Sequence, residues 1–154
     1  MIILGIDPGI ERVGFAVLES DARNFHLYTA GRITTSKTDA HEDRLLAIRK
    51  QLNELILKHT PAVIAIEKIF FFRNKKTAIT VAEARGVMVT MAAEFNLKLI
   101  ELTPMEVKKH VCGDGHADKK QIQKMVGLIL KLKEIPGSDD TCDAIAIAIA
   151  AALQ

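Results

Sequence analysis

Acidic residues far apart in this chain each stand at the edge of an apolar segment. Asp7 closes the run Ile2-Ile3-Leu4-Gly5-Ile6, and Glu67 closes Ala62-Val63-Ile64-Ala65-Ile66. Asp140 and Asp143 open the run from Ala144 to Leu153. A fold that packs such segments side by side brings the carboxylates to one spot. Two of them 4 Å apart repel by roughly 4 kcal/mol at an effective dielectric near 20. A cluster of this kind therefore needs protons or a divalent cation, and hard oxygen donors with open positions suit Mg²⁺ or Mn²⁺.

A chain of 154 residues has the length of one domain and can bury a sizeable core. With 49% apolar and 26% charged residues it has the composition of a globular protein rather than a disordered one. No apolar run reaches the roughly 18 residues of a membrane span, so no membrane partner is expected. The stretch from Met1 is too short for a signal peptide and carries Asp7 and Glu11, which leaves the cytoplasm as the expected location. Cys112 and Cys142 make no disulfide framework, and Cys112 with His110 and His116 fits no common zinc spacing.

The net charge of +2 is less informative than its distribution. Lys108, Lys109, Lys119, Lys120, Lys124, Lys131 and Lys133 crowd a stretch whose acids between 108 and 133 are Asp114 and Asp118. Arg73, Lys75 and Lys76 follow Glu67. Any single lysine is explained by solvation of a helix surface. Basic patches on both sides of an acidic site, however, suit a polyanion held across a metal centre.

Met1 to Ile6 reads as a buried strand, turned by Pro8-Gly9, with strands over Arg12 to Glu19 and Phe25 to Ile33 completing an antiparallel meander. Leu45, Ile48, Leu52, Leu55 and Ile56 recur at helical spacing, and Pro61 stops that helix before a strand at Val63 to Glu67. Ala78 to Phe95 is helical and apolar almost all round, which predicts burial on two sides, one against the sheet and one against a second subunit. Leu97 to Leu102 is a strand. Thr103, Pro104 and Glu106 spell a helix start with a capping box, and Asp118 with Gln121 starts another helix. The last segment is ambiguous: Ile145, Ile147 and Ile149 alternate with alanines as in a strand, while Ala richness and the Ser138-Asp139-Asp140 start favour a helix. A helix is the better reading, because it puts Asp140 and Asp143 on one face. Strands first, then helices alternating with strands, predict an α/β fold with a mixed sheet between helices.

Each acid also has an ordinary role. Asp-Pro-Gly is commonly a turn, a glutamate after a strand is commonly solvated, and aspartates before a helix cap it. The ordered set is more specific. Ile6-Asp7-Pro8-Gly9 followed by Gly14, Ile66-Glu67 with Phe70, Ala84-Arg85-Gly86, and Asp140-Thr141-Cys142-Asp143-Ala144 together resemble the RuvC family of Holliday-junction resolvases. The segment from Glu106-Val107-Lys108-Lys109 through Ala117-Asp118-Lys119 resembles that family's basic region. The resemblance runs from Met1 almost to the C-terminus.

It implies an RNase H-like domain spanning residues 1–154, with a five-stranded mixed sheet and helices on both faces. It also implies a homodimer that cuts four-way DNA junctions with two Mg²⁺ ions per site, Mn²⁺ substituting. The metal ligands it implies are Asp7, Glu67, Asp140 and Asp143. The doublet leaves open whether Asp139 or Asp140 serves, and the spacing to Asp143 favours Asp140. Lys108 and Lys119 match basic positions at the active site, and Phe70 matches an aromatic that stacks on junction bases. Lys109, Lys120, Arg73, Lys75 and Lys76 are expected to meet phosphates. A branch-migration motor is a partner implied by the resemblance alone.

Two metals about 3.5–4 Å apart can activate water, offset the charge of the pentacovalent state and assist the leaving oxygen. Stacking of Phe70 on an unpaired base is worth about 1–3 kcal/mol. Ala84, Gly86 and Ala92 either let the long helix approach the sheet or form a dimer seam, the latter preferred. Three competing readings remain. An actin-like or sugar-kinase ATPase shares the Asp-Pro-Gly loop but needs two such domains. A different RNase H-like nuclease would share the metal chemistry. A junction-binding protein that does not cut would gain by losing the acids.

Overall fold

The computed structural model describes residues 1–21, 24–68 and 75–154, the side chains of 75–77 excepted. In chain order the elements are β1 (Ile2–Asp7), β2 (Arg12–Asp21), β3 (Asn24–Thr34), α1 (His41–His59), β4 (Val63–Glu67), α2 (Lys75–Glu94), β5 (Lys98–Leu102), α3 (Pro104–Cys112), α4 (Lys119–Leu130) and α5 (Asp139–Ala152). The strands form one five-stranded sheet in the order β3-β2-β1-β4-β5. β1, β2 and β3 pair antiparallel, and β4 and β5 join in parallel with β1. The helical segments supply the crossovers that parallel pairing requires.

Strand parity sorts the core into two layers. Leu4, Ile6, Val17, Ile64 and Ile66 face α1 and α2, where Ile48, Leu52, Met88 and Met91 meet them. Ile3, Ala16, Leu18, Val63, Ala65 and Leu102 face the other way, onto α3, α4 and α5. The pairing of β2 with β3 shifts register between Val17 and Leu18, and Tyr28 is the residue passed over. The extra residue reverses the parity of β3, so Leu27 and Ala30 both pack toward α5.

The helices end where their sequences say they should. Thr103 Oγ1 accepts from Glu106 N at 3.1 Å, and Glu106 Oε2 accepts from Thr103 N at 2.7 Å. Asp118 and Gln121 repeat the reciprocal pair at 2.9 and 2.7 Å. Such caps contribute about 1 kcal/mol each. Gly113 closes α3 in the left-handed conformation at φ 77°. The alternating Ile-Ala segment is the helix α5, with every residue from Ala144 to Ala151 buried.

α5 lies unusually close to the sheet. A Cβ on Gly5 would stand 2.4 Å from the Ala144 carbonyl oxygen and 2.8 Å from the Ala148 methyl. A Cβ on Gly14 would stand 2.0 Å from the Asp140 carbonyl oxygen. Glycines on β1 and β2, facing small residues on α5, are what bring the first turn of α5 down onto the ends of the strands. α2 buries Ala84, Met88, Met91 and Ala92 on its sheet side, so Ala84 and Ala92 let the helix approach the sheet and are not available to the expected dimer seam, while Ile79 is 69% exposed on the other side. Gly86 and Ala93 are exposed there as well. Cys112 and Cys142 are free thiols, and burial lifts that of Cys142 to about 11, so it stays protonated and inert.

Candidate active site

Ile6 and Ile66 are register partners on parallel strands, so Asp7 and Glu67 are the next residues along two adjacent strand ends. Because Ile6 and Ile66 face α1 and α2, alternation turns Asp7 and Glu67 to the opposite face, that of α5. α5 meets them there with its N-terminal turn, bringing Asp140 and, one turn on, Asp143. A cavity of about 150 Å³ opens beside them between α3, α4 and α5, with Glu67, Lys108 and Asp143 at its polar side and Val107, Ile122 and Ile147 at its apolar side.

The electrostatics show convergence. Asp7 is pushed up to about 8 by burial first, then by repulsion from Glu67, Asp143 and Asp140, with Lys119 opposing. Glu67 is pushed up to about 7 by burial and by Asp143, with Lys108 opposing. Asp143 is raised as well, by burial first, against the pull of Lys119. Asp139 is absent from the groups that act on Asp7, whereas Asp140 is among them. Asp139 instead points outward, 68% exposed, and accepts Lys119 Nζ at 3.0 Å. Asp140, unlike Asp139, adds to the repulsion felt by Asp7, while its carboxylate faces Arg12 and Arg32.

Lys119 Nζ also stands 3.8 Å from Asp143 Oδ2. Desolvation works against its charge, but the hydrogen bond to Asp139 and the attraction of Asp143, Asp139 and Asp140 outweigh it and raise its pKa. Lys109 and Lys120 face solvent. Phe70 and Arg73 lie outside the described residues, as do the side chains of Lys75 and Lys76. Sequence reasoning passed over Arg12 and Arg32, which approach Asp140 Oδ2 at 4.0 and 3.6 Å. It named Arg85 within a motif but gave it no role; Arg85 donates to Glu101 and reaches the Glu67 carbonyl at 3.4 Å, bracing the end of β4. In the sequence Arg12 stands two residues before Gly14, but its meeting with Arg32 depends on the β2–β3 register that pairs Gly14 with Arg32.

Among the described residues no three His, Cys, Asp or Glu side chains form a group that could hold a metal ion in this conformation. Asp140 is turned toward the arginines and Asp143 toward Lys119. The donor chemistry nonetheless fits a hard divalent cation. All four groups are carboxylates, and burial first and repulsion by neighbouring acids second raise Asp7, Glu67 and Asp143, both of which a bound cation would offset.

The family model described as crossover junction endodeoxyribonuclease RuvC matches residues 3–151. The chain belongs to the RuvC family. A crossover junction endodeoxyribonuclease RuvC of Alkaliphilus oremlandii is 45% identical over 149 residues, covering 97% of this chain and 91% of that protein. The solved structure of Thermus thermophilus RuvC superposes with a TM-score of 0.92 at 33% identity, covering 99% of this chain and 94% of that one. A second T. thermophilus RuvC structure, in complex with Holliday junction substrate, gives a TM-score of 0.90 at 29% identity, covering 99% and 94%. The fold is therefore RNase H-like, and membership in the RuvC family carries the enzyme class of a metal-dependent endodeoxyribonuclease. The ATPase reading falls with it.

Proposed function

We propose that this protein resolves four-way DNA junctions. A homodimer cuts two symmetric strands by Mg²⁺-dependent phosphodiester hydrolysis, leaving 5′-phosphate and 3′-hydroxyl nicks that a ligase can seal, in recombination and DNA repair. The observation that carries this reading is the convergence of Asp7, Glu67, Asp140 and Asp143 on one face, within a chain of the RuvC family. The T. thermophilus relative seen with a Holliday junction supports the choice of substrate.

Asp7, Glu67, Asp140 and Asp143 would hold two Mg²⁺ ions, or Mn²⁺ in their place. When bound, these ions lower the pKa of water and stabilise charge developing on the phosphoryl oxygens. The chain's own residues do the rest. Burial of Asp7 and Glu67 keeps the local dielectric low and strengthens every charge interaction there. Lys108, lining the cavity beside Glu67, and Lys119, held at Asp139 and Asp143, supply positive charge for phosphate oxygens in the transition state. Lys109, Lys120, Arg73, Lys75 and Lys76 bind neighbouring phosphates, and Phe70 stacks on an unpaired base at the crossover. The exposed side of α2 around Ile79, Gly86 and Ala93 forms the dimer seam. The whole chain acts as one nuclease domain in the cytoplasm, and a branch-migration motor is its partner there.

Labelled four-way junction, linear duplex and RNA–DNA hybrid, each with and without Mg²⁺, test the reading. Paired, ligatable nicks confined to the junction with metal are expected. Preferential cutting of the hybrid would move the substrate while keeping the site, and binding without cutting in any divalent metal would leave the acids without this role.

A further inference from the structure

Arg12 and Arg32 stand on the same face of the sheet. Arg32 is the register partner of Gly14, and Arg12 lies two residues before Gly14 on the same strand. They are therefore diagonal neighbours, about 7–8 Å apart at the backbone, where like charges repel. Gly14 between them carries no side chain, and the first turn of α5 rests directly on it, 2.0 Å from where a Cβ would be. Both guanidinium groups converge on a single atom, Asp140 Oδ2, at 4.0 Å from Arg12 Nε and 3.6 Å from Arg32 Nη1. These separations are too long for hydrogen bonds, and the two side chains are 57% and 38% exposed. The neighbouring acid Glu11 is engaged elsewhere, with Lys37 at 3.1 Å.

One carboxylate between two guanidinium groups leaves a positive charge uncompensated. If Asp140 turns inward to join Asp7 and Glu67, both charges are left without a counterion. Guanidinium forks match phosphate oxygens in geometry as well as charge. We propose that Arg12 and Arg32 form a phosphate clamp for the DNA backbone on the β2–β3 flank of the acids, with Asp140 Oδ2 marking the place of a phosphate oxygen. Lys108 lies beside Glu67 on the β4 flank, so a strand crossing the carboxylates is held on both sides rather than one. The clamp rests on DNA being the substrate.

The test is junction binding by fluorescence anisotropy across a salt titration, in an Asp7→Asn background so that the DNA stays intact. The double variant Arg12→Gln/Arg32→Gln is compared with its parent, and each single Gln variant is measured beside it. Loss of one phosphate contact makes the slope of log K against log salt shallower by about one, and affinity near 0.15 M salt falls about tenfold. The double Arg→Lys variant should recover most of the slope. An unchanged slope and affinity in the Gln variants overturns the clamp. So does an effect confined to the Mg²⁺-induced thermal shift of the same Gln variants with Asp7 intact, which would make the arginines positioning residues for Asp140 only. A parent that ignores junctions sinks the substrate reading instead, which the parent's own titration reveals.

Discussion

Replacing Asp7 with asparagine should stabilise the metal-free protein while abolishing cleavage. In the folded state burial and three neighbouring carboxylates lift Asp7 from 3.8 to about 8. A raised carboxyl pKa favours folding below the unfolded value near pH 3.8, and that advantage is lost as pH rises through the folded value near 8. At pH 7 the unfolded chain has ionised this group while the folded one still holds its proton. At 1.36 kcal/mol per unit, the interval from 3.8 to 7 gives an upper bound of about 4 kcal/mol. Relaxation of a partly solvated site brings the expected gain for Asp7→Asn to about 2–3 kcal/mol. Urea unfolding in EDTA at pH 5, 6, 7 and 8 reads it directly. The parent should lose stability across that range, and the variant should lose less, Glu67 at about 7 keeping part of the slope. Added Mg²⁺ should restore the parent by mass action and the variant far less. A parent whose stability is flat from pH 5 to 8, or an Asn variant no more stable than it at pH 7, would refute the picture of a crowded, charge-starved site.

Gly14→Ala should push α5 off the strand ends, because its Cβ meets the Asp140 carbonyl at 2.0 Å; about 1–3 kcal/mol of stability and most of the cutting rate should go together, read by unfolding and junction cleavage. Lys119→Ala should separate the two quantities: its exposed ion pairs contribute about 0–1 kcal/mol to stability, while cleavage should fall roughly 10²-fold. Ile79→Glu, on the exposed side of α2, should leave the melting of the protomer unchanged and dissociate the dimer in sedimentation velocity; an intact dimer would move the seam elsewhere.

Much of this protein is legible without coordinates. The strands that end in Asp7 and in Glu67, the capping boxes at Thr103 and Asp118, and the arrest of α1 before Pro61 follow from local rules. Each depends only on residues within a few positions of one another. The helical state of α5 was harder, because a helix buried on nearly every side has no apolar stripe from which to read a period.

Residue order alone tells which types stand at the ends of which segments: acids after strands and before a helix, and glycines within the strands that α5 approaches closely. Once β1 and β4 pair with Ile6 opposite Ile66, strand parity puts Asp7 and Glu67 on one face. The packing of distant elements settles which face α5 covers, that Asp139 pairs with Lys119, and that Arg12 and Arg32 meet on Asp140. Those outcomes come from the approach of α5 to Gly5 and Gly14, elements more than a hundred residues apart in the chain. Local propensity acts over a turn or two, whereas the charge balance of a site is set by whatever the packing of distant elements brings within a few ångströms.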